Sequence, residues 1–170
     1  MRYTMETCKN LLEIIKLKNI HLERLSNTKG SVGEREIISR IESWIERPKG
    51  NELRILLKEL SKTGVEIKKS SFDAIDCPKL VDFKNPEEVQ AALRDMTFIE
   101  IKTANQKRVK ENFEGFFFAL TGSEISAAEQ LGSKHKVALF NRIKDELLLT
   151  SIPEILARVK SMTWQLSVQL

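Results

Sequence analysis

Apolar residues recur at three- and four-residue steps through the first third of the chain, a spacing typical of amphipathic helices. Three helices are predicted there. The apolar positions of the first two are Leu11, Leu12, Ile15, Leu22 and Leu25, then Ile37, Ile38, Ile41, Trp44 and Ile45. The third spans residues 51–64, with Asn51 as its N-cap and Gly64 as its C-terminal cap. A helical section over residues 1–64 is therefore predicted.

After residue 64 the pattern changes to alternation and short apolar runs, which favours β-strands. Strands are predicted at residues 65–76, 97–104, 115–120, 136–141 and 145–152. Two helices are predicted between them, one at 85–96 that begins with Pro86 and one at 121–132 capped by Ser123. Residues 152–170 predict a short helix and a closing strand.

These elements predict a single α/β domain over residues 1–170, with a helical N-terminal section and an α/β core from residue 65. The fold class is a mixed central β-sheet flanked by helices. A length of 170 residues with 41% hydrophobic and 31% charged side chains supports a folded domain. The net charge of +4 slightly favours a polyanionic partner.

The small number of cysteines and histidines limits the chemistry. Two residues of each type, far apart, make a disulfide framework, a zinc site or a Ser-His-Asp triad improbable. Catalysis would therefore depend on carboxylates and lysine. Every long stretch is interrupted by charges, so that no signal peptide or membrane span is predicted, and a reducing, cytoplasmic location is expected.

The tripeptide Glu-Ile-Lys occurs twice, at Glu100–Lys102 and at Glu66–Lys68. Residues two apart on a strand point to the same face, so each copy places a carboxylate beside an ammonium group. Phosphodiester hydrolysis uses a divalent metal held by oxygen ligands and a cation near the attacking water. Glu100, the Ile101 carbonyl and Lys102 could supply these groups. The alternative is that the charges only line the solvated side of a strand.

Context favours the copy at residues 100–102. The segment "SFDAI" upstream places Asp73 between apolar residues on a strand expected to lie next to that of Glu100. A carboxylate in an apolar strand is costly unless it is paired or binds a cation. Asp73 is therefore the first candidate for a further metal-binding acid.

The order of "SFDAI", "FIEIKTA", "FFFALTGSEISAAEQLG" and "KVALFN" resembles the PD-(D/E)xK nuclease superfamily, which has the restriction-endonuclease-like fold. The resemblance covers about residues 34–150 and is nearest to bacterial domains of restriction and defence systems. It implies a Mg²⁺-dependent nuclease centre, in which Mn²⁺ could substitute.

By this resemblance Asp73 and Glu100 match the metal-binding acids and Lys102 matches the catalytic lysine, with the Ile101 carbonyl as a further metal ligand. Glu34 matches an acidic position near the metal. The chain departs from the family pattern because Asp73 follows Phe72 and not a proline, and because residues 77–96 separate the two halves. Asp82 and Asp76 therefore remain alternatives for the first acid.

A polar loop follows the Glu-Ile-Lys copy at residues 100–102. From residue 102 to residue 110 the chain has four cations and no anion. Side chains of this kind contact nucleic-acid phosphates without reading sequence. The candidate DNA-binding residues are Asn105, Gln106, Lys107, Arg108 and Lys110. The alternative is a solvated loop partly neutralised by Glu111 and Glu114.

The aromatic run at residues 116–118 is more typical of a buried strand than of a base-stacking surface. The predicted function is a Mg²⁺-dependent deoxyribonuclease in restriction, defence or repair, with DNA as its partner and a homodimer or larger restriction/defence complex as possible assemblies. The alternative is a non-catalytic DNA- or protein-binding module of the same fold. A weaker alternative is a dimerisation or toxin-type interaction protein built on the first helix.

Overall fold

The structure is a computed structural model of the chain, and it describes residues 32–162. The predicted N-terminal helix and closing strand lie outside the described residues. We name helical residues 32–40 α1. The other helices are α2 (Gly50–Ser61), α3 (Pro86–Ala92), α4 (Gly122–Leu131) and α5 (Ile152–Arg158). The strands are β1 (Trp44–Glu46), β2 (Ala74–Asp76), β3 (Thr97–Ala104), β4 (His135–Asn141) and β5 (Glu146–Thr150).

The five strands form one mixed sheet in the order β1-β2-β3-β4-β5. The first three strands pair antiparallel, β4 lies parallel to β3, and β5 returns antiparallel to β4. Parallel neighbours need a crossover, which here contains α4. The structure therefore agrees with the predicted mixed α/β class.

Helices cover both faces of the sheet. Ile37 of α1 and Ile41, which follows the helix, pack against Ile99 and Ile101 on one face. On the other face Phe98 of β3 packs against side chains from α2, α3 and α4, which are Leu56, Leu60, Val89, Ala127 and Leu131. Successive residues of β3 thus contact opposite helical layers. As a result, Glu100 and Lys102 face the α4 side.

The second predicted helix is shorter than expected. Residues 44–46 form β1 instead, paired with β2, and helix α1 extends only to residue 40. Trp44 packs on the α1 side of the sheet, whereas Ile45 packs on the side of α2. Trp44 and Ile45, which were predicted to share one face of a helix, therefore lie on opposite faces of a strand. The prediction of helix over residues 34–47 was wrong from residue 41 onward.

Two predicted strands are also corrected. Only Ala74–Asp76 of the predicted strand 65–76 pairs in the sheet. Upstream, the side chain of Gln130 accepts a hydrogen bond from Glu66 N and donates one to Glu66 O, both at 2.7 Å, in place of a neighbouring strand. Residues 115–120 form no strand, because β3 and β4 pair directly and leave no position between them. Phe116 and Phe118 pack inward there, and Phe117 is 75% exposed.

The predicted strands at 97–104 and 136–141 are confirmed, and residues 146–150 of the predicted strand 145–152 form β5, whereas Ser151 and Ile152 begin α5. The helix predicted to begin at Pro86 and the helix predicted to end at Gly132 are also confirmed. The cap assignments need correction. Thr121 caps α4 in place of Ser123, Lys49 occupies the N-cap position of α2 in place of Asn51, and Lys62 rather than Gly64 is its C-cap. Within residues 32–162 no helix has both the length and the apolarity that crossing a membrane requires.

Candidate functional site

Asp73 lies beside β3 at the start of β2. Its backbone N donates to Ile99 O at 2.8 Å, and its Oδ2 accepts a hydrogen bond from Ile101 N at 3.0 Å. The Asp73 carboxylate thus accepts the hydrogen bond from Ile101 N that a backbone carbonyl of a neighbouring strand would otherwise accept. The N–H and C=O of one residue point to the same side of a strand, so the Ile101 carbonyl is also directed towards Asp73.

Glu100 and Lys102 form a buried, hydrogen-bonded pair on the α4 side of β3. Lys102 Nζ donates to Glu100 Oε1 at 2.8 Å and to Glu124 Oε1 at 3.1 Å. Glu100 is only 5% exposed, and the Lys102 side chain is 15% exposed. The other carboxylate oxygen of Glu100, Oε2, is buried without a hydrogen-bond partner among the described residues. This orphaned oxygen can accept a further hydrogen bond or ligate a cation.

Glu124 is a site residue that the sequence reasoning did not assign. It forms a capping box with Thr121, because Thr121 Oγ1 accepts from Glu124 N and Glu124 Oε2 accepts from Thr121 N. One oxygen therefore caps α4 while the other binds Lys102. The pattern Thr-x-x-Glu in "TGSE" is a sequence signature of such a box and could have identified Glu124.

The acids raise one another's pKa. Burial, followed by the nearby Asp73 carboxylate, raises the pKa of Glu100 to about 9, against the opposing effect of Lys102. Burial also raises the pKa of Asp73, although its bond from Ile101 N and the charge of Arg47 act in the other direction. Burial alone would lower the pKa of Lys102, but Glu100 and Glu124 outweigh it and raise that pKa. Lys102 is therefore an ammonium group at neutral pH.

Glu34 reaches the cluster from α1, on the opposite face of the sheet from α4. Burial and then the Asp73 charge raise its pKa. The preceding residue, Gly33, allows this approach: a Cβ atom there would lie 2.5 Å from Thr103 Cγ2. The helix and β3 are thus closer than any larger residue would permit.

Arg47 is the second site residue that the sequence reasoning missed. It directly follows β1, and its backbone N donates to Asp73 O at 2.9 Å. Its guanidinium Nη1 donates to Phe72 O at 2.7 Å, and its Cζ lies 6.0 Å from the Phe72 ring centre. An isolated arginine at the end of a predicted helix gave no signal, because the strand that places it was itself not predicted.

The alternative aspartates lie elsewhere. Asp76 pairs with Thr97 at the other end of β2. Asp82 is exposed, and its Oδ1 accepts from Lys84 N in the turn before α3. Of the three candidates the structure brings only Asp73 next to Glu100. The first Glu-Ile-Lys copy, Glu66–Lys68, has both charged side chains exposed and outside the cluster.

The cationic loop follows β3 directly. Val109 is fully buried and anchors it, whereas the five candidate DNA-binding residues are all exposed, namely Asn105, Gln106, Lys107, Arg108 and Lys110. Arg108 Nε donates to Gln106 Oε1 at 2.6 Å. The loop therefore presents its cations to solvent from a fixed backbone.

The charge balance of the cluster leaves it negative. Four carboxylates, those of Glu34, Asp73, Glu100 and Glu124, interact with three cations, Lys102, Arg47 and Arg35. With all seven ionised, the four negative and three positive charges give a net charge of −1. Oxygen donors with a net negative charge suit a hard divalent cation.

No group of three or more His, Cys, Asp or Glu side chains in residues 32–162 is arranged as a ready metal cage. The set implied by the resemblance is two carboxylates and a backbone carbonyl, which does not require such a group. Asp73 accepts a hydrogen bond from Ile101 N, and its charge is near enough to Glu100 to raise the pKa of that carboxyl. The residues present therefore fit Mg²⁺ in donor type and charge.

Comparisons of the chain with protein-family models, with curated proteins and with solved structures find no match.

Proposed function

We propose that the protein is a Mg²⁺-dependent deoxyribonuclease with a restriction-endonuclease-like fold, acting in the cytoplasm in restriction, defence or repair. The observation that carries the proposal is the buried cluster of Asp73, Glu100 and Lys102, in which Glu100 Oε2 has no hydrogen-bond partner among the described residues. Burying these charges costs stability, and a functional site is the usual reason for such an arrangement.

Asp73, Glu100 and the Ile101 carbonyl would hold Mg²⁺. When bound, the metal supplies positive charge at the phosphate and lowers the pKa of a bound water. With a cation present, Glu100 loses its proton and serves as an anionic ligand, since a nearby positive charge favours the ionised carboxyl. Glu34 acts from the α1 side as an outer acid.

Lys102 would stay protonated and orient the attacking water or stabilise charge on the phosphate. Its two carboxylate partners fix Nζ in place and keep the ammonium form. Glu124 thus positions Lys102 by holding it from the end of α4. Lys107, Arg108 and Lys110 would bind the DNA backbone beyond β3, with Asn105 and Gln106 as further hydrogen-bond donors.

Nuclease assays on single- and double-stranded DNA test this proposal. Cleavage is expected with Mg²⁺ or Mn²⁺ and not with EDTA, and Lys102→Ala should reduce the rate by about 10²–10⁴-fold. The matched control is Lys68→Ala, which removes the lysine of the exposed Glu-Ile-Lys copy and should leave the rate unchanged. Full activity of a folded Lys102→Ala protein would overturn the catalytic assignment.

A second candidate function is a non-catalytic DNA- or protein-binding module. The observation in its favour is that Lys102 already bridges Glu100 and Glu124, so part of the cluster is satisfied without a metal. Thermal unfolding with increasing Mg²⁺ or Mn²⁺ separates the two functions. A metal site gives about 2.7 kcal/mol at 100 times the dissociation constant. Glu100→Ala should abolish that stabilisation, whereas Glu66→Ala, its matched control, should retain it.

A further inference from the structure

A small polar cavity lies on the far side of Asp73 from Lys102. Its volume is about 80 Å³, and its charged walls comprise three acids and three cations, which are Glu34, Glu46, Asp73, Arg35, Arg47 and Lys49. The salt bridge between Lys49 and Glu46 leaves the guanidinium groups of Arg35 and Arg47 beside the carboxyl groups of Glu34 and Asp73. An anion would therefore bind here through guanidinium N–H donors and not through a net positive charge.

Arg47 is held in a way that leaves most of its N–H donors available. The single side-chain hydrogen bond it makes within the described residues goes to Phe72 O, a neutral acceptor, and the Phe72 ring lies alongside. A guanidinium has five N–H donors, so several remain for a ligand. Because its backbone N bonds to Asp73 O, Arg47 is also fixed relative to the acid cluster.

The other two cations lie at the rim of the cavity. Arg35 is exposed on α1, one residue after Glu34. Lys49 is exposed and pairs with Glu46 at 2.7 Å, an interaction that contributes little at a solvated surface. Both side chains can turn towards an incoming anion at small cost.

The sheet places this cavity in line with the candidate active site. Arg47 follows β1, Asp73 precedes β2 and Glu100 lies in β3. The three residues are therefore neighbours across adjacent strands. At ~4.8 Å per strand, the backbones of Arg47 and Glu100 are about 10 Å apart. A phosphate in the cavity is therefore a neighbour of the phosphate at Glu100 and Lys102 and is a separate group.

We propose that this cavity is a subsite for a nucleic-acid backbone phosphate adjacent to the cleaved one, with Arg47 as the direct contact and Arg35 at the rim. The subsite rests on the proposed function, because it requires a nucleic-acid substrate. Together with the loop at residues 105–110 it would hold the backbone on both sides of the acid cluster. A guanidinium suits this role since it binds phosphate through two parallel hydrogen bonds.

Oligonucleotide binding in EDTA tests the subsite without cleavage. The dissociation constant of one labelled sequence, single- and double-stranded, is measured between 50 and about 200 mM salt, a range over which phosphate contacts change affinity strongly. Arg47→Met and Arg35→Met should each reduce the slope of log affinity against log salt by about 1. Arg54→Met, an exposed arginine on α2, is the matched control and should keep the wild-type slope.

Arg35 is exposed, so its variant tests the subsite even where Arg47→Met fails to fold. Wild-type slopes in both folded variants would overturn the proposal, and so would stabilisation by inorganic phosphate without any oligonucleotide binding. Cleavage in Mg²⁺ with unchanged slopes would reject the subsite and leave the nuclease standing. Reduced slopes without cleavage would support the subsite and reject the nuclease.

Discussion

Glu100 and Lys102 have the same spacing and residue types as Glu66 and Lys68, and only their surroundings distinguish the two pairs. Glu100 and Lys102 are buried next to Asp73 and Glu124, whereas Glu66 and Lys68 are exposed on an irregular segment. Burial changes the energetics of each charge, because a desolvated carboxylate holds its proton more tightly. Residue identity alone could not separate the copies.

The raised pKa of Glu100 predicts a pH dependence of stability. The carboxyl keeps its proton up to about pH 9 in the folded metal-free protein but releases it near its ordinary value of 4.5 when unfolded. The folded state therefore binds more protons in this window, and the free energy of unfolding falls as pH rises through it.

Glu100→Gln should flatten this decline and raise the melting temperature at pH 8 in EDTA. Urea unfolding at pH 6 and pH 8 measures the effect, with Glu129→Gln, an exposed acid on α4, as the control. A Glu100→Gln protein whose stability falls with pH as steeply as that of the wild type would contradict the desolvated state of Glu100.

At the scale of the elements, the strands with the strongest apolar runs were predicted from the sequence, and those fixed by remote partners were not. Strands β3 and β4 consist mostly of buried residues, and β5 alternates exposed and half-buried positions. Strand β1 has three residues and exists because β2 pairs with it. The hydrophobic pattern of these residues carries no information about that pairing. The spacing of the apolar residues from Ile37 to Ile45 predicted a helix instead.

The candidate site divides in the same way. Asp73, Glu100, Lys102 and Glu34 were identified from the sequence by motif order. Glu124 was missed because Ser123 was taken as the cap of α4, although the capping-box pattern was present. Arg47 could not be identified from the sequence, because its position depends on the pairing of β1 with β2 and on a hydrogen bond to Phe72 O. The residues around Arg47 in the sequence predict neither contact.

The contact between α1 and β3 gives a prediction at this scale. Gly33→Ala places a methyl group against Thr103, so that α1 must shift away from the sheet. We expect a loss of about 1–3 kcal/mol in the free energy of unfolding, as for overpacked cores. Denaturant unfolding measures it. Gly122→Ala, at the start of α4 with open space around the added Cβ, is the control. Equal stabilities of the two variants would argue against the close approach.

For the whole molecule, the net charge of +4 matters less than its distribution. Exposed cations lie in the loop after β3 and at the rim of the Arg47 cavity, and the buried acids Glu100 and Glu124 lie in the cluster with Asp73. The cations of the loop and of the cavity rim could therefore attract a polyanion, while a divalent cation neutralises the acids of the cluster.

Neutralising the loop should lower affinity for nucleic acid uniformly across sequences. The double variant Lys107→Gln/Lys110→Gln is expected to reduce the slope of log affinity against log salt by roughly 2, because each lysine releases about one counterion. Fluorescence anisotropy at several salt concentrations measures it. Lys58→Gln/Lys62→Gln, on α2 and its C-terminal cap, is the comparison. A slope that is the same in both double variants would place nucleic acid away from the loop.

The parallel pairing of β3 with β4 has a consequence for biosynthesis. Glu124 reaches Lys102 only after α4 has crossed over and β4 has paired with β3, and both events join distant parts of the chain. Contacts of this kind form late, since loop closure must precede them. A nascent chain that has emerged only as far as β3 holds Asp73, Glu100 and Lys102 without the helix that positions the lysine. The ribosome-bound chain therefore acquires the complete cluster only once β4 has been synthesised and has folded.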